Sequence, residues 1–351
     1  MTLTTLGVVI VTFNAEDVIL DCLESLLAAK GVRLEIGLVD NASTDLTLAT
    51  LRDWAGGQSA YSPPRDAPFA MAAGASPITL MSADDTVPAG YGHVMTLIEA
   101  GVNSGFAAGV NVGLARLAAR PGIDRFWVLN PDSVVPPGTP RAFATEPAPP
   151  GGFALMGGRV IYLDTPILIQ IDGGTINWRT GVTSNINQYA DPAITPPPDP
   201  AQMDFIAGTS MVASRAFLEA VGPMAEDYFL YYEEVDWAMR RGALPLVFCP
   251  AGIVYHRAGT AIGSPTPQRP ASPFSLYFKH RGRIRFVKRH LPRALAGSLM
   301  YSLAKAVQLG LKGYGAEARA VLAGSFGRPP APEIRARLSP EAARLAALPD
   351  Q

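Results

Sequence analysis

Cysteine is scarce in this 351-residue chain: Cys22 and Cys249 stand alone, in neither CxxC nor zinc-ligand spacing. A disulfide scaffold and a cysteine-held metal are therefore not expected, and a reducing cytosol fits. Long apolar runs are missing too. None reaches the roughly 18 residues that a spanning helix needs. Met1 to Leu6 also lacks a basic n-region, so neither a spanning helix nor a signal peptide is expected. Charge is low, at 17% against 48% hydrophobic residues. That balance excludes a disordered chain or a coiled coil and provides core for about two domains. Acid is absent from one whole block. Residues 1–236 hold 11 Lys/Arg against 26 Asp/Glu, whereas residues 237–316 hold 13 Lys/Arg and no acid. Such polarity implies that part of the surface meets an anion, although the acidic front would repel a nucleic acid.

The apolar residues that are present alternate between strand and helix patterns. Gly7 to Phe13 is a β-branched run, the length of a buried parallel strand, and Asn14 suits the cap of the helix after it. Leu34 to Val39 reads as a second strand, and residues 40–45 as a loop and cap before a helix through Trp54. This order predicts an α/β fold with a mostly parallel sheet. Residues 56–92, rich in Gly, Pro, Ala and Ser, read as an excursion with one short strand, Ile78 to Met81. Further strands are expected at Val94 to Glu99, Phe126 to Leu129, Phe153 to Leu163 (antiparallel) and Phe205 to Val212. Two short ones follow, at Leu244 to Phe248 and Gly252 to His256. Helices are expected at Ala107 to Ala119, Ser214 to Val221 and Glu233 to Arg241. Pro136 to Gly152 and Pro192 to Pro200 read as loops, and Pro265 to Pro273 as a linker. Leu295, Leu299, Leu303, Val307 and Leu311 then recur every four residues, as in an amphipathic helix.

Four polar clusters fall at predicted strand ends, where parallel α/β sheets place their ligands: Thr12-Phe13-Asn14, Asp40-Asn41, Asn130-Pro131-Asp132 and His256. The first two suit a base and ribose, though each alone is also an ordinary cap or turn. Asn103-Ser104-Gly105-Phe106 opens a helix with small residues that let backbone approach a phosphate or sugar. Tight strand-helix packing explains them equally, and they do not form GxGxxG, so a nicotinamide site is not supported. Asp132 is a carboxylate at the mouth of an apolar strand, suited to a divalent cation or to an Asx turn. Glu233, Glu234 and Asp236 follow Tyr228, Phe229, Tyr231 and Tyr232. Burial and like charge would raise such carboxylates toward general-base values, and a dipole-satisfying first turn is the plainer account. Asp236 and Arg240 lie at helical i, i+4 spacing and suit a simple pair.

Taken in order, these clusters resemble the inverting family 2 glycosyltransferases of the GT-A fold, nearest to the rhamnosyltransferase-like branch. The matching stretches are VVIVTFN (8–14), LVDNASTD (38–45), NSGFAAGVNVGL (103–114), WVLNPDSVV (127–135), GTSMVASRAFLEAVG (208–222), FLYYEEVDWAMRRG (229–242) and VYHRAG (254–259). The resemblance implies a GT-A catalytic domain at 1–262, Rossmann-like and flanked by helices, with a linker and a C-terminal basic, amphipathic helical segment at 263–351. It implies that Thr12, Asn14 and Asp40 contact the nucleotide. Phe13, Asn41, Asn103, Gly105, Phe106, Asn111, Asn130 and Arg240 complete the nucleotide-sugar set. Asn130 and Asp132 occupy the DxD position, with Asn130 replacing the first acid, and Asp132 and His256 are the implied holders of Mg²⁺ or Mn²⁺. Glu234 is the implied base, with Glu233 and Asp236 beside it. Ala225 stands where the family carries an acid.

The resemblance further implies an inverting transfer from a nucleotide-sugar, dTDP-rhamnose ahead of UDP-sugars, to a glycan or lipid-linked acceptor in bacterial surface polysaccharide synthesis. A nucleotide-sugar-binding protein without turnover is the other reading. Lys279, Arg281, Arg283, Arg285, Lys288, Arg289 and Arg293 crowd 15 residues ahead of the amphipathic helix. Two readings of 279–312 stay open: contact with an anionic membrane surface or lipid-linked pyrophosphate, and a helix docked on the domain with a solvated basic face. A cytoplasmic protein, peripheral on the inner face of the plasma membrane, and a homodimer are the accompanying expectations.

Overall fold

The computed structural model describes residues 3–71, 78–82, 85, 92–258, 263 and 270–347. The apolar runs at the front become β1 (Thr5–Thr12), β2 (Arg33–Asp40), β3 (Leu80–Met81), β4 (Val94–Glu99) and β5 (Arg125–Leu129). They lie parallel in the order β3-β4-β2-β1-β5, with Thr12 beside Asp40 at the carboxyl ends. Helices α1 (Ile19–Leu27), α2 (Thr47–Ala55) and α3 (Phe106–Ala118) connect them. Successive side chains of β1 serve opposite faces. Val8 and Ile10 pack with Leu23 and Trp54 of α1 and α2, and Val9 and Val11 pack with Ala107 and Val110 of α3.

The sheet continues through β6 (Ser133–Val134), β7 (Leu155–Tyr162), β8 (Ile169–Ile171), β11 (Ser210–Ser214) and β12 (Val247–His256), reaching ten strands in all. A separate hairpin pairs β9 (Gly174–Asn177) with β10 (Val182–Asn185). Helices α4 (Thr139–Thr145), α5 (Arg215–Val221) and α6 (Glu233–Met239) belong to this half. The mixed, mostly parallel sheet flanked by helices is the expected fold class.

Several local expectations are corrected. Asn14 does not cap α1. It sits in the left-handed region (φ 52°), and Val18 precedes the helix without a side-chain cap. The segment read as loop from Pro136 contains α4, because Pro140 in its first turn costs no helical hydrogen bond. Strand β11 starts at Ser210, not Phe205. The two short strands near 250 are one strand, β12, carrying a register shift between Phe248 and Ile253 around Pro250. Strand β7 is antiparallel to β11 and β8 but parallel to β12. The short strand expected from Ile78 is β3; residues 72–77, 83–84 and 86–91 of the excursion and most of the proline linker lie outside the described residues. The capped helix α5 is as read, with Ser214 Oγ accepting from Phe217 N.

The C-terminal region is helical: α7 (Pro273–His290), α8 (Leu295–Leu311), α9 (Gly315–Ser325), α10 (Pro332–Arg335) and α11 (Pro340–Ala347). A solvated basic face on 279–293 is corrected for three of its seven cations, while Lys279, Lys288, Arg289 and Arg293 are exposed. His280, Arg281, Arg283 and Arg285 of α7 are buried. Arg283 donates to Ser298 Oγ at 3.1 Å and to Ser302 Oγ, both on α8. Arg289 reaches back to Asp227 (2.7 Å) and Asp236 (3.0 Å). The other end of α7 joins the aromatics before α6, Phe278 packing tilted against Phe229 with ring centroids 5.0 Å apart. No helix of the described residues is long and apolar enough to cross a membrane.

Candidate active site

One cavity of about 1,470 Å³ opens along the carboxyl ends of β1, β2 and β5, where the strand order places a ligand. Phe13, Asn14 and Asn41 line its floor; Asn103, Gly105 and Phe106 line one wall; Asn130, Asp132 and His256 line another. Glu233, Glu234 and Lys279 face into the same space. The cavity exceeds the several hundred Å³ of a typical single-ligand site, which leaves room for two substrates.

Strand pairing assembles the Asp132 corner. Strand β6 lies antiparallel to the end of β12 with Ser133 opposite His256, and Arg257 N donates to Asp132 O at 2.9 Å. His256 Nε2 thereby lies 3.1 Å from Asp132 Oδ1 and 3.4 Å from Asn130 Nδ2. Its Nδ1 meets Gln170 Oε1 at 2.8 Å, and a proton on Nδ1 donated to that oxygen leaves Nε2 as an acceptor. Two acceptors then face each other across 3.1 Å, a gap that asks for a proton or a cation. That spacing fits adjacent ligands of an octahedral Mg²⁺ or Mn²⁺, about 3 Å apart for bonds of about 2.1 Å. Gln170 would serve as the outer partner that ligating histidines use. No group of three or more His, Cys, Asp or Glu suited to a metal occurs among the described residues. Phosphate and water oxygens would therefore complete the coordination, as is usual for Mg²⁺.

The acid pair is held by unusual backbone. Phe229, Tyr231 and Tyr232 all adopt positive φ (67°, 66° and 76°), a costly conformation for aromatic residues. Tyr232 is the left-handed residue that launches α6, so Glu233 and Glu234 emerge in its first turn. Phe106 N donates to Phe229 O at 2.9 Å, latching this loop to the start of α3. Gly105 is required at that latch: its φ is 97°, and a Cβ there would lie 2.3 Å from Phe229 O. Burial, reinforced by Glu234, pushes the Glu233 carboxyl well above the ordinary range, and its Oε2 has no hydrogen-bond partner. Burial also raises Glu234, while nearby backbone N–H groups and the Lys279 charge partly offset the rise. The Lys279 ammonium is pushed down, first by the protein around it and also by Arg283 and Lys305, against the upward pull of Glu234.

Not every sequence-predicted residue reaches the cavity. Thr12 and Asp40 are buried behind its floor; Asp40 Oδ2 accepts from Ser43 N at 3.0 Å, while Asp40 Oδ1 and Thr12 Oγ1 have no partner. Asn111 is spent on packing, bonded to Met224 N and O and to Glu226. Asp236 is a fully buried hub that accepts from Tyr228 Oη (3.0 Å), Arg240 Nε (2.9 Å), Arg289 Nη1 (3.0 Å) and His290 Nε2 (2.7 Å). Arg240 is likewise engaged, by Asp236 and the Val221 and Pro223 carbonyls. Asp236, Arg240 and Asn111 are thus framework around the cavity and not its lining, since their polar atoms are consumed internally.

Lys279 and Gln170 are among the lining residues that escaped sequence reasoning. Lys279 was hidden in a run of cations that looked uniformly solvated. Gln170 carried a faint signal, as the single polar residue between Ile169 and Ile171. Asn14 and Asn41 line the floor, but their side chains also hold the loops together: Asn14 Oδ1 accepts from Thr44 N at 2.8 Å, and Asn41 Nδ2 donates to Gly105 O at 3.0 Å.

Residues 7–65 match the family model described as glycosyl transferase family 2. No curated protein matches the chain. Among solved structures it is similar to the mannosyltransferase PcManGT from Pyrobaculum calidifontis, in complex with GDP-Man and Mn²⁺. The identity is 14%, with 92% of this chain and 86% of that one covered and a TM-score of 0.50. It is also similar to GalNAc-T7 with UDP, GalNAc and Mn²⁺, at 13% identity and a TM-score of 0.52. That alignment covers 91% of this chain but only 55% of the other. The chain therefore has the fold of the GT-A glycosyltransferases, and its first two strands and the segment after them carry the glycosyl transferase family 2 pattern.

Proposed function

We propose that the chain is an inverting glycosyltransferase that moves a sugar from a nucleotide-sugar to an acceptor hydroxyl. One observation carries this reading: a raised carboxylate pair, Glu233 and Glu234, and the Asp132–His256 corner open onto one cavity. In the proposed reaction Glu234 takes the acceptor hydroxyl proton as that oxygen bonds to the anomeric carbon. The carbon–oxygen bond to the diphosphate breaks on the opposite face, and the leaving diphosphate carries away the electron pair. A single displacement of this kind inverts the anomeric centre. Asp132 and His256 would hold a divalent cation whose chemistry is to neutralise the leaving diphosphate. Its use is supported by the Mn²⁺ named with both structural relatives.

The relatives' nucleotides, GDP-linked in one and UDP in the other, support a nucleotide-sugar donor. We favour dTDP-rhamnose and then UDP-sugars, with a glycan or lipid-linked acceptor in surface polysaccharide synthesis. The loss of acid at Asn130 and Ala225 favours a second reading, a nucleotide-sugar-binding protein without turnover. Thermal melting against a nucleotide-sugar panel with and without Mn²⁺, followed by turnover of wild type and Glu234→Gln, tests both. A stabilising donor with turnover lost in Glu234→Gln supports the transferase. Stabilisation with no turnover in wild type supports the binding protein. No shift with any nucleoside diphosphate refutes the two together.

A further inference from the structure

The apolar stripe of α8 is half-buried at Leu295 and Leu299 and faces outward from Leu303 on. Its buried side is the small and polar one, Ser298, Ser302 and Ala306 with Leu309, because Arg283 of α7 needs the two serines. Met300 (70% exposed), Leu303 (47%), Val307 (63%) and Leu311 (86%) are left in solvent. At helical spacing these four fall within an arc of about 100° along a helix about 25 Å long. Lys305, the one charged residue of α8, lies on the far side and donates to Gln308 at 2.9 Å. Isolated exposed hydrophobics are ordinary; a charge-free row of four on one helix face marks an interaction surface.

A second observation extends the patch. The tight turn between β9 and β10 abuts α8, so that a Cβ on Gly297 would lie 2.4 Å from Arg179 O. Trp178, next in the chain to Arg179, is 51% exposed, whereas Trp54, Trp127 and Trp237 are fully buried. Exposed cations lie at the ends of α8 and at the turn: Arg293 just before the helix, Lys312 just after it and Arg179 in the turn. No acid occurs in the chain between Asp236 and Glu317.

We infer that the outer face of α8, together with the β9–β10 turn that carries Trp178 and abuts the helix, docks on a bilayer surface containing anionic lipid. An apolar row takes the acyl boundary, a tryptophan takes the headgroup level, and the cations at the helix ends and the turn meet lipid phosphates. Self-association through the same face is disfavoured by charge. A two-fold pairing of α8 would bring Arg293 toward Lys312 of the second copy if antiparallel, or each toward its own copy if parallel, with no acid on α8 to answer them. The docking segment is thus α8 and not the basic run of α7, whose arginines at 281, 283 and 285 are turned into the protein.

The test uses the full-length protein with vesicles of phosphatidylcholine alone or with added phosphatidylglycerol. The protein is expected to co-sediment with the anionic vesicles and to weaken with salt. Binding should fall roughly fivefold for each of Arg293→Gln and Lys312→Gln. Tryptophan emission should shift to the blue on binding, and Trp178→Phe should abolish the shift while most binding remains. Leu303→Glu with Val307→Glu should abolish sedimentation at an unchanged melting temperature. Wild type failing to sediment with anionic vesicles overturns the inference, as does binding undiminished in the double variant. A solution dimer that the double variant dissociates, without vesicle binding, assigns the face to a second copy instead. None of these outcomes depends on whether the cavity transfers a sugar.

Discussion

Asp236 invites a prediction whose size follows from its surroundings. Burial pushes this carboxyl up, but hydrogen bonds from His290 and Arg289, with the charges of His290 and Arg240, more than offset that and hold it at about 2 against an ordinary 3.8. The difference corresponds to about 2 kcal/mol of native-state preference for the carboxylate. Asp236→Asn removes it and surrounds a neutral amide with Arg240, Arg289 and His290, for a total cost of about 3 kcal/mol. In a chain of 351 residues that lowers the melting temperature by about 4 °C. The sign with pH is fixed by the depressed value. The stabilisation is complete well above 3.8, and is lost as the pH falls through the folded value near 2. Urea unfolding at pH 7 and pH 3 therefore reads the gap between wild type and variant directly. The gap should narrow by about 1 kcal/mol at pH 3, since all other acid effects are shared. A gap that does not change with pH refutes the electrostatic account. A variant as stable as wild type but without turnover refutes the assignment of Asp236 to the framework.

Three further outcomes follow from the site. In the proposed reaction Glu234 acts deprotonated, and its carboxyl is raised, so transfer should decline as the pH falls through a value above the ordinary carboxylate range; a limb at ordinary Glu values in a kcat profile would count against it. Lys279→Met removes the cation that favours ionised Glu234, so the same limb should move to higher pH, and an unmoved limb would dissociate the pair. Gly105→Ala should destabilise the fold by about 3 kcal/mol or more, since neither the backbone at Phe229 nor the positive φ can yield cheaply; a melting temperature within a degree of wild type would contradict that.

The parts of the fold that were legible in the sequence are those fixed by local pattern. The parallel strands β1, β2, β4 and β5 read from mainly apolar runs, and the polar groups at their ends read from loop chemistry. Asp132 and His256 meet because β6 and β12 pair, a partnership that was suggested by family order and not by local pattern. Pro140 looked like loop composition, yet it initiates α4. The largest misreading concerned charge. Both open readings of the basic run left its cations at the surface, to meet an anionic partner or solvent, but Arg283, Arg285 and Arg289 have partners across large sequence separations, Asp227 and Asp236 before them and Ser298 and Ser302 after. Periodicity found the stripe on α8 correctly and could not say which side the protein would keep, because two serines committed to Arg283 outweighed the leucines.

Helix α7 also sets what a shortened version of this protein would be. Its Phe278 backs Phe229, its Lys279 faces Glu234, and its last turn supplies Arg289 and His290 to Asp236. A fragment ending at residue 272 would retain every residue named in the sequence motifs. It would nonetheless leave the left-handed aromatic loop unsupported and an aspartate stripped of two of its donors. Such a fragment should be soluble only transiently, because the pieces that look like an appendage are the keystone of the half that carries the sheet.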